Sequence, residues 1–88
     1  FIDVLETILC YSELTRAIFS VLYLSDADLT GANLSEAYLV EAILSEANLS
    51  KANLPRANLQ AANLRKAILT GTSLVKAELT DVNLINED

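Results

Sequence analysis

An all-β solenoid is the fold class that this sequence predicts, and three observations predict it. Leucine recurs at every fifth residue, a small residue (most often alanine) stands two places before it, and the register runs unbroken from Ser12 to Asn86. The leucine position is held by Leu14, Phe19, Leu24, Leu29, Leu34, Leu39, Leu44, Leu49, Leu54, Leu59, Leu64, Leu69, Leu74, Leu79 and Leu84. Five residues turn an α-helix through about 500°, so these leucines would spiral around it instead of forming a stripe. On a flat strand an odd period sends alternate leucines to opposite faces. The pattern fits a chain that bends once per pentad, always in the same sense, and so winds into coils that stack.

The first segment, residues 1–11, reads "FIDVLETILCY". Phe1, Val4, Leu5, Ile8 and Leu9 form a short helical stripe suited to capping the end of the coil. Val4 and Leu9 equally continue the pentad register, and the residues leave both readings open. Residues 12–86 are the repeat, and 87–88 a short tail. Within the repeat the leucine and the residue two before it point inward. The expected core is Leu29, Leu34, Leu39, Leu44, Leu49, Leu54, Leu59, Leu64 and Leu69, with Ala47, Ala52, Ala57 and Ala62 filling the space between them. The other three positions face out. Leu22 and Val82 are large where alanine is the rule, and Ser12 and Thr72 are polar.

The pentads "ADLTG", "ANLSE" and "ANLSK" give the pattern A-(D/N)-L-X-X, which resembles the pentapeptide-repeat family over about 75 of the 88 residues. The resemblance implies a right-handed quadrilateral parallel β-helix, one pentad per side and about twenty residues per coil. The repeat then makes just under four coils.

A twenty-residue coil stacks positions twenty apart into columns. Arg16, Glu36, Arg56 and Lys76 share one column, and Asp26, Glu46, Lys66 and Asn86 another. Arg16–Glu36, Glu36–Arg56 and Glu46–Lys66 can pair as exposed ion pairs, each worth ~0–1 kcal/mol. Gly31, Lys51 and Gly71 share a corner that suggests a backbone requirement on alternate coils. Asn33 over Asn53 and Asn63 over Asn83 read as side-chain ladders. Charge is banded along the chain: acidic from Asp26 to Glu46, basic from Lys51 to Lys76, acidic again from Glu78.

The position just before each leucine is usually Asn or another polar residue. Ile18, Tyr23, Tyr38, Ile43 and Ile68 break that rule. The twenty-residue stacking brings Ile18 to Tyr38 and Tyr23 to Ile43 on adjoining sides, so these four form a candidate interaction patch.

Composition excludes several functions. There is no His, so a His-based triad or metal site is absent. Cys10 stands alone, without a base or a disulfide partner in the chain. Ser25, Ser35, Ser45 and Ser50 are repeat residues facing solvent. Glu36, Glu41 and Glu46 fall at successive corners and do not converge on a metal. Neither glycine belongs to a phosphate-binding loop. The expectation is a protein without catalysis, metal or cofactor. A net charge of −6 argues against binding nucleic acid. No apolar run approaches the ~18 residues of a membrane span, so a soluble, cytoplasmic protein is the default. The chain begins at Phe1, not Met, as expected of a processed or trimmed product. The function expected is a structural scaffold or protein-interaction module, with an unknown protein or a second copy as partner. The alternative drawn from the family resemblance is a DNA-mimicking protector of a type II topoisomerase such as gyrase. The basic band from Lys51 to Lys76 interrupts the acidic surface that mimicry requires.

Overall fold

A computed structural model describes residues 9, 11–19 and 23–85. Its backbone is a four-sided parallel solenoid. Every bridge joins a residue to the one twenty positions on, beginning with Glu13 to Asn33, Ile18 to Tyr38, Tyr23 to Ile43 and Asp28 to Asn48. A five-residue side in a twenty-residue repeat gives four sides. The first carries Glu13, Asn33, Asn53 and Ser73; the second Ile18, Tyr38, Asn58 and Glu78; the third Tyr23, Ile43, Asn63 and Asn83; the fourth Asp28, Asn48 and Ile68. Each side is so short that pairing takes the form of isolated bridges instead of long strands.

The corners explain the period. The alanine N–H donates to the carbonyl of the leucine three residues earlier, as from Ala37 to Leu34 at 3.0 Å. The second residue between them sits at positive φ, for example Glu36 at 58°. Together these are the signature of a type II turn. Such a φ favours glycine, yet Asp26, Glu41, Glu46, Lys51, Arg56, Ala61 and Lys66 adopt it as well as Gly31 and Gly71. The expected requirement on alternate coils is therefore wrong in scope. Every described corner has it, and from Arg16 to Lys66 inter-coil bonds from the corner N–H hold non-glycine residues there. Gly31 has a further reason: a Cβ on it would lie 2.5 Å from Cε1 of Tyr11, whose ring covers this corner.

Between coils the ladder is dense. The leucine N–H donates to the next coil, as from Leu39 to the Asn58 carbonyl at 2.7 Å, and the corner N–H does the same, as from Glu41 to Gln60 at 2.9 Å. The residue before the leucine donates backwards, as from Asn58 to the Ala37 carbonyl at 2.9 Å. These bonds reach as far as Leu9, which donates to Asp28 at 2.7 Å. The rest of the two N-terminal readings, and residues 86–88, lie outside the described residues, as does Leu22.

Leu24 through Leu64 and Ala27 through Ala62 line the interior at no more than 2% exposure. Towards the C-terminus the same positions open: Leu69 and Leu74 are half-buried, while Leu79 and Leu84 are 39% and 52% exposed. The cause is geometric, because an inward leucine is covered by the coils on both sides of its own. The extents of 30 × 28 × 27 Å make a block as tall as it is wide.

The interior has no room beyond alanine. Ala57→Leu is expected to destabilise the fold by ~1–3 kcal/mol through overpacking. Chemical denaturation measures this, and a variant as stable as the parent would contradict the inward placement of Ala57.

Candidate functional site

The repeat itself gives the position before each leucine a structural task. Its side-chain oxygen accepts the backbone N–H two residues on, which closes the start of the corner. Asn33 accepts from Ser35 at 3.1 Å, Asn48 from Ser50 at 3.0 Å, Asn58 from Gln60 at 3.1 Å and Asn63 from Arg65 at 3.0 Å. The hydroxyls of Ser35 and Ser50 donate to the same oxygens at 2.6 Å. These are Asx turns, the reason Asn and Asp recur at turns in general. Two expectations change as a result. Asn33 does stack over Asn53 and Asn63 over Asn83, but the hydrogen bonds of Asn33, Asn48, Asn58 and Asn63 close turns of their own coil. The serines after the leucines are half-buried parts of the turn and do not simply face solvent; Ser25 and Ser45 bond each other at 3.2 Å. Pro55 has no N–H, so Asn53 has no such donor two residues on.

An apolar side chain at this position supplies no acceptor. The turns after Tyr23, Tyr38, Ile43 and Ile68 therefore lack a bond that the neighbouring pentads make. The structure stacks four of the apolar residues in two pairs on adjoining sides: Ile18 on Tyr38 on the second, and Tyr23 on Ile43 on the third. Ile18 is 78% exposed, Tyr38 44% and Tyr23 37%, while Ile43 is half-buried. Ile68 is exposed but lies apart on the fourth side. Below the patch both columns become polar, with Asn58 under Tyr38 and Asn63 under Ile43.

This geometry was compared with known proteins. A family model described as pentapeptide repeats matches residues 23–60 and 57–86, with eight copies. The chain belongs to the pentapeptide-repeat family. A search of curated proteins found no match. Among solved structures, a pentapeptide repeat protein from the cyanobacterium Cyanothece 51142 is 37% identical, with a TM-score of 0.87 over 90% of this chain and 54% of that one. A pentapeptide repeat protein from the Arabidopsis thaliana thylakoid lumen is 27% identical, with a TM-score of 0.55 over 92% of this chain and 63% of that one. HetL, a pentapeptide repeat protein involved in heterocyst differentiation regulation in the cyanobacterium Nostoc, is 28% identical, with a TM-score of 0.50 over 85% of this chain and 50% of that one. The chain thus spans between half and two thirds of the length of these relatives. The fold is the right-handed quadrilateral β-helix of the family, a scaffold and interaction type of fold whose members are generally non-enzymatic. Nothing in the comparisons supports the gyrase alternative.

The charged columns of this pentapeptide-repeat protein are only partly paired. Arg16 and Glu36 form an exposed ion pair at 3.2 Å. Glu36–Arg56 and Glu46–Lys66 share columns but form no ion pair within the described residues. Glu36, Glu41 and Glu46 occupy successive corners, and among the described residues no three acidic or thiol groups gather as a metal site would need. No helix of the described residues is long and apolar enough to cross a membrane. Cys10 lies outside the described residues. The described residues also form an open hollow, lined by Ser45, Glu46, Asn63, Arg65 and Lys66.

Sequence reasoning missed two features. The capping role of Asn was signalled by its fixed offset from every corner. Tyr11 was absent from the column of Gly31, although counting twenty back from the glycine reaches it.

Asp28 and Glu78 take the same capping role with a carboxylate. The Thr30 hydroxyl and then its backbone N–H, at 2.7 and 3.1 Å, hold the Asp28 carboxyl below its usual pKa. Thr80 does the same for Glu78. Hydrogen bonds to the charged form depress a folded-state pKa. Their stabilisation is present above the unfolded-state value and is lost as pH falls through the folded one. Asp28→Asn with Glu78→Gln keeps an acceptor but cannot titrate. This variant is expected to lose less melting temperature than the parent between pH 7 and about pH 3. Equal losses would show that these carboxylates do not titrate against folding.

Proposed function

We propose that this chain is a non-enzymatic interaction module, and that the corner bearing Ile18, Tyr23, Tyr38 and Ile43 is its contact surface for a protein partner or a second copy. The observation that carries the reading is the replacement of a turn-capping acceptor by large apolar side chains at four stacked and adjoining positions. A net hydrogen bond is worth ~0.5–1.5 kcal/mol, less where water reaches the donor. None of these four side chains belongs to the buried core, which is filled by the Leu and Ala positions. Clustered exposed apolar surface often marks an interaction site, and tyrosine gives a broad, stiff contact with a polar tip. The similarity to HetL, a protein involved in the regulation of heterocyst differentiation, agrees with a role without catalysis. Mimicry of DNA finds little support, since Lys51, Arg56, Lys66 and Lys76 are all exposed corners and the block has no long axis.

Tyr38→Asn with Ile43→Asn restores the repeat's own residue at both positions. The double variant is expected to melt no lower than the parent, and to lose self-association in sedimentation or capture of a partner identified with the parent chain. A variant that unfolds would show that these residues support the core. One that folds and binds as before would show that the patch is ordinary surface.

A further inference from the structure

The charges around the patch are distributed unevenly. From Tyr23 to Glu46 the sequence holds Asp26, Asp28, Glu36, Glu41 and Glu46 and no Lys or Arg. Three of these border the apolar residues from exposed corners. Glu41 stands at the corner between the second and third sides, beside half-buried Val40. Asp26 and Glu46 stand at the corner beyond the third side, on successive coils, where the Asp26 N–H donates to the Ser45 carbonyl at 3.2 Å. Stacked coils lie ~4.8 Å apart, so Asp26 and Glu46 put two like charges on this edge, and Lys66 and Arg65 border Glu46 only from the coil below. At the opposite edge Glu36 is already paired with Arg16 at 3.2 Å. The surface is therefore apolar across two sides and anionic along one edge and its middle.

Resting on the reading above, we propose that the patch receives a cationic protein segment that interleaves Lys or Arg with large apolar side chains. The apolar residues of the segment cover Ile18, Tyr38, Tyr23 and Ile43. Its cations lie against Glu41 and the Asp26/Glu46 edge. The footprint stops at the next coil. There Asn58 and Asn63 replace the apolar residues, their oxygens already accepting the N–H groups of Gln60 and Arg65, and Lys66 follows Glu46 in the corner column. Complementary charge steers such a partner and excludes wrong ones. The same field repels phosphate, so neither nucleic acid nor an anionic membrane suits this surface.

The test uses three fluorescent peptides as probes, of alternating Lys-Leu, Glu-Leu and Lys-Ser, with binding read by anisotropy. The Lys-Leu peptide is expected to bind the parent, the Glu-Leu peptide not to bind, and the Lys-Ser peptide to bind at least about tenfold more weakly. The triple variant Asp26→Asn, Glu41→Gln, Glu46→Gln is expected to weaken Lys-Leu binding about tenfold. Glu78→Gln with Asp81→Asn, which removes acid from the far end, is expected to change nothing. All these substitutions are at exposed residues, and circular dichroism checks the fold. Lys-Leu binding that is lost in Tyr38→Asn, Ile43→Asn but kept in the acid triple variant would overturn the cationic partner and leave the patch as a binding surface. Binding untouched by either variant would overturn both readings. A parent that ignores every peptide also overturns the cationic partner. If that parent nonetheless sediments as a dimer that Tyr38→Asn, Ile43→Asn disrupts, the occupant is a second copy.

Discussion

Each pentad has to turn a corner and return its leucine to the same interior, and the rest of the structure depends on that turn. The corner residue is held at positive φ in residues as different as Glu36, Lys51 and Ala61. An L-residue adopts that conformation at some cost. Where another coil follows, the cost is offset because the corner N–H is bonded to it, as Lys51 is to Thr70 at 2.8 Å and Ala61 to Thr80 at 2.9 Å; Lys76 and Asp81 keep the same conformation in the last coil. A single coil offers no such partner. The turns and the stacking therefore stabilise one another, the cooperative logic of solenoids in general.

Two side-chain rules follow from the corner. Inside, Leu and Ala alternate around the described coils from Leu24 to Leu64 and fill the interior, so the side chains open to a partner there are those of the outer surface. Outside, the residue before each leucine is recruited to cap the turn, as Asn48 and Asn58 do. That second rule changes how the exterior is read. A capping Asn there is part of the fold, while an exposed Tyr or Ile departs from it. Tyr23, Tyr38 and Ile43 therefore stand out for a reason stronger than hydrophobicity alone: each leaves its turn without the acceptor that the repeat provides elsewhere. Their place on adjoining sides, with Asp26, Glu41 and Glu46 at the bordering corners, gives the surface both an apolar and an electrostatic character.

Much of the fold was legible in the sequence because a period of five has few solutions. Leu24 to Leu64 were placed inward by periodicity, and once the coil length was fixed the pairing of Ile18 with Tyr38 followed by counting. The corners were less legible. Positive φ is written plainly in Gly31 and Gly71 but not in Glu36 or Lys51, where the backbone is held by bonds to residues nineteen positions away. The capping role of Asn33 was hidden for a similar reason: its partner is a backbone N–H, which no sequence letter displays. The ion pairs show a third limit. Sharing a column put Arg16 beside Glu36 in an ion pair, but Glu46 and Lys66 form none although they border one hollow, because long side chains at exposed corners choose among rotamers that spacing does not fix.

The most direct test of this account is amide hydrogen exchange at serines that occupy the same place in the turn. Ser35 and Ser50 follow Asn33 and Asn48 and donate to their side chains, whereas Ser45 follows Ile43. The account predicts protection of the Ser35 and Ser50 amides well above that of Ser45, with Ser45 rising to their level in Ile43→Asn. Equal protection at all three serines in the parent would contradict it, because the apolar residues of the patch would then forgo nothing and their departure from the repeat would carry no meaning.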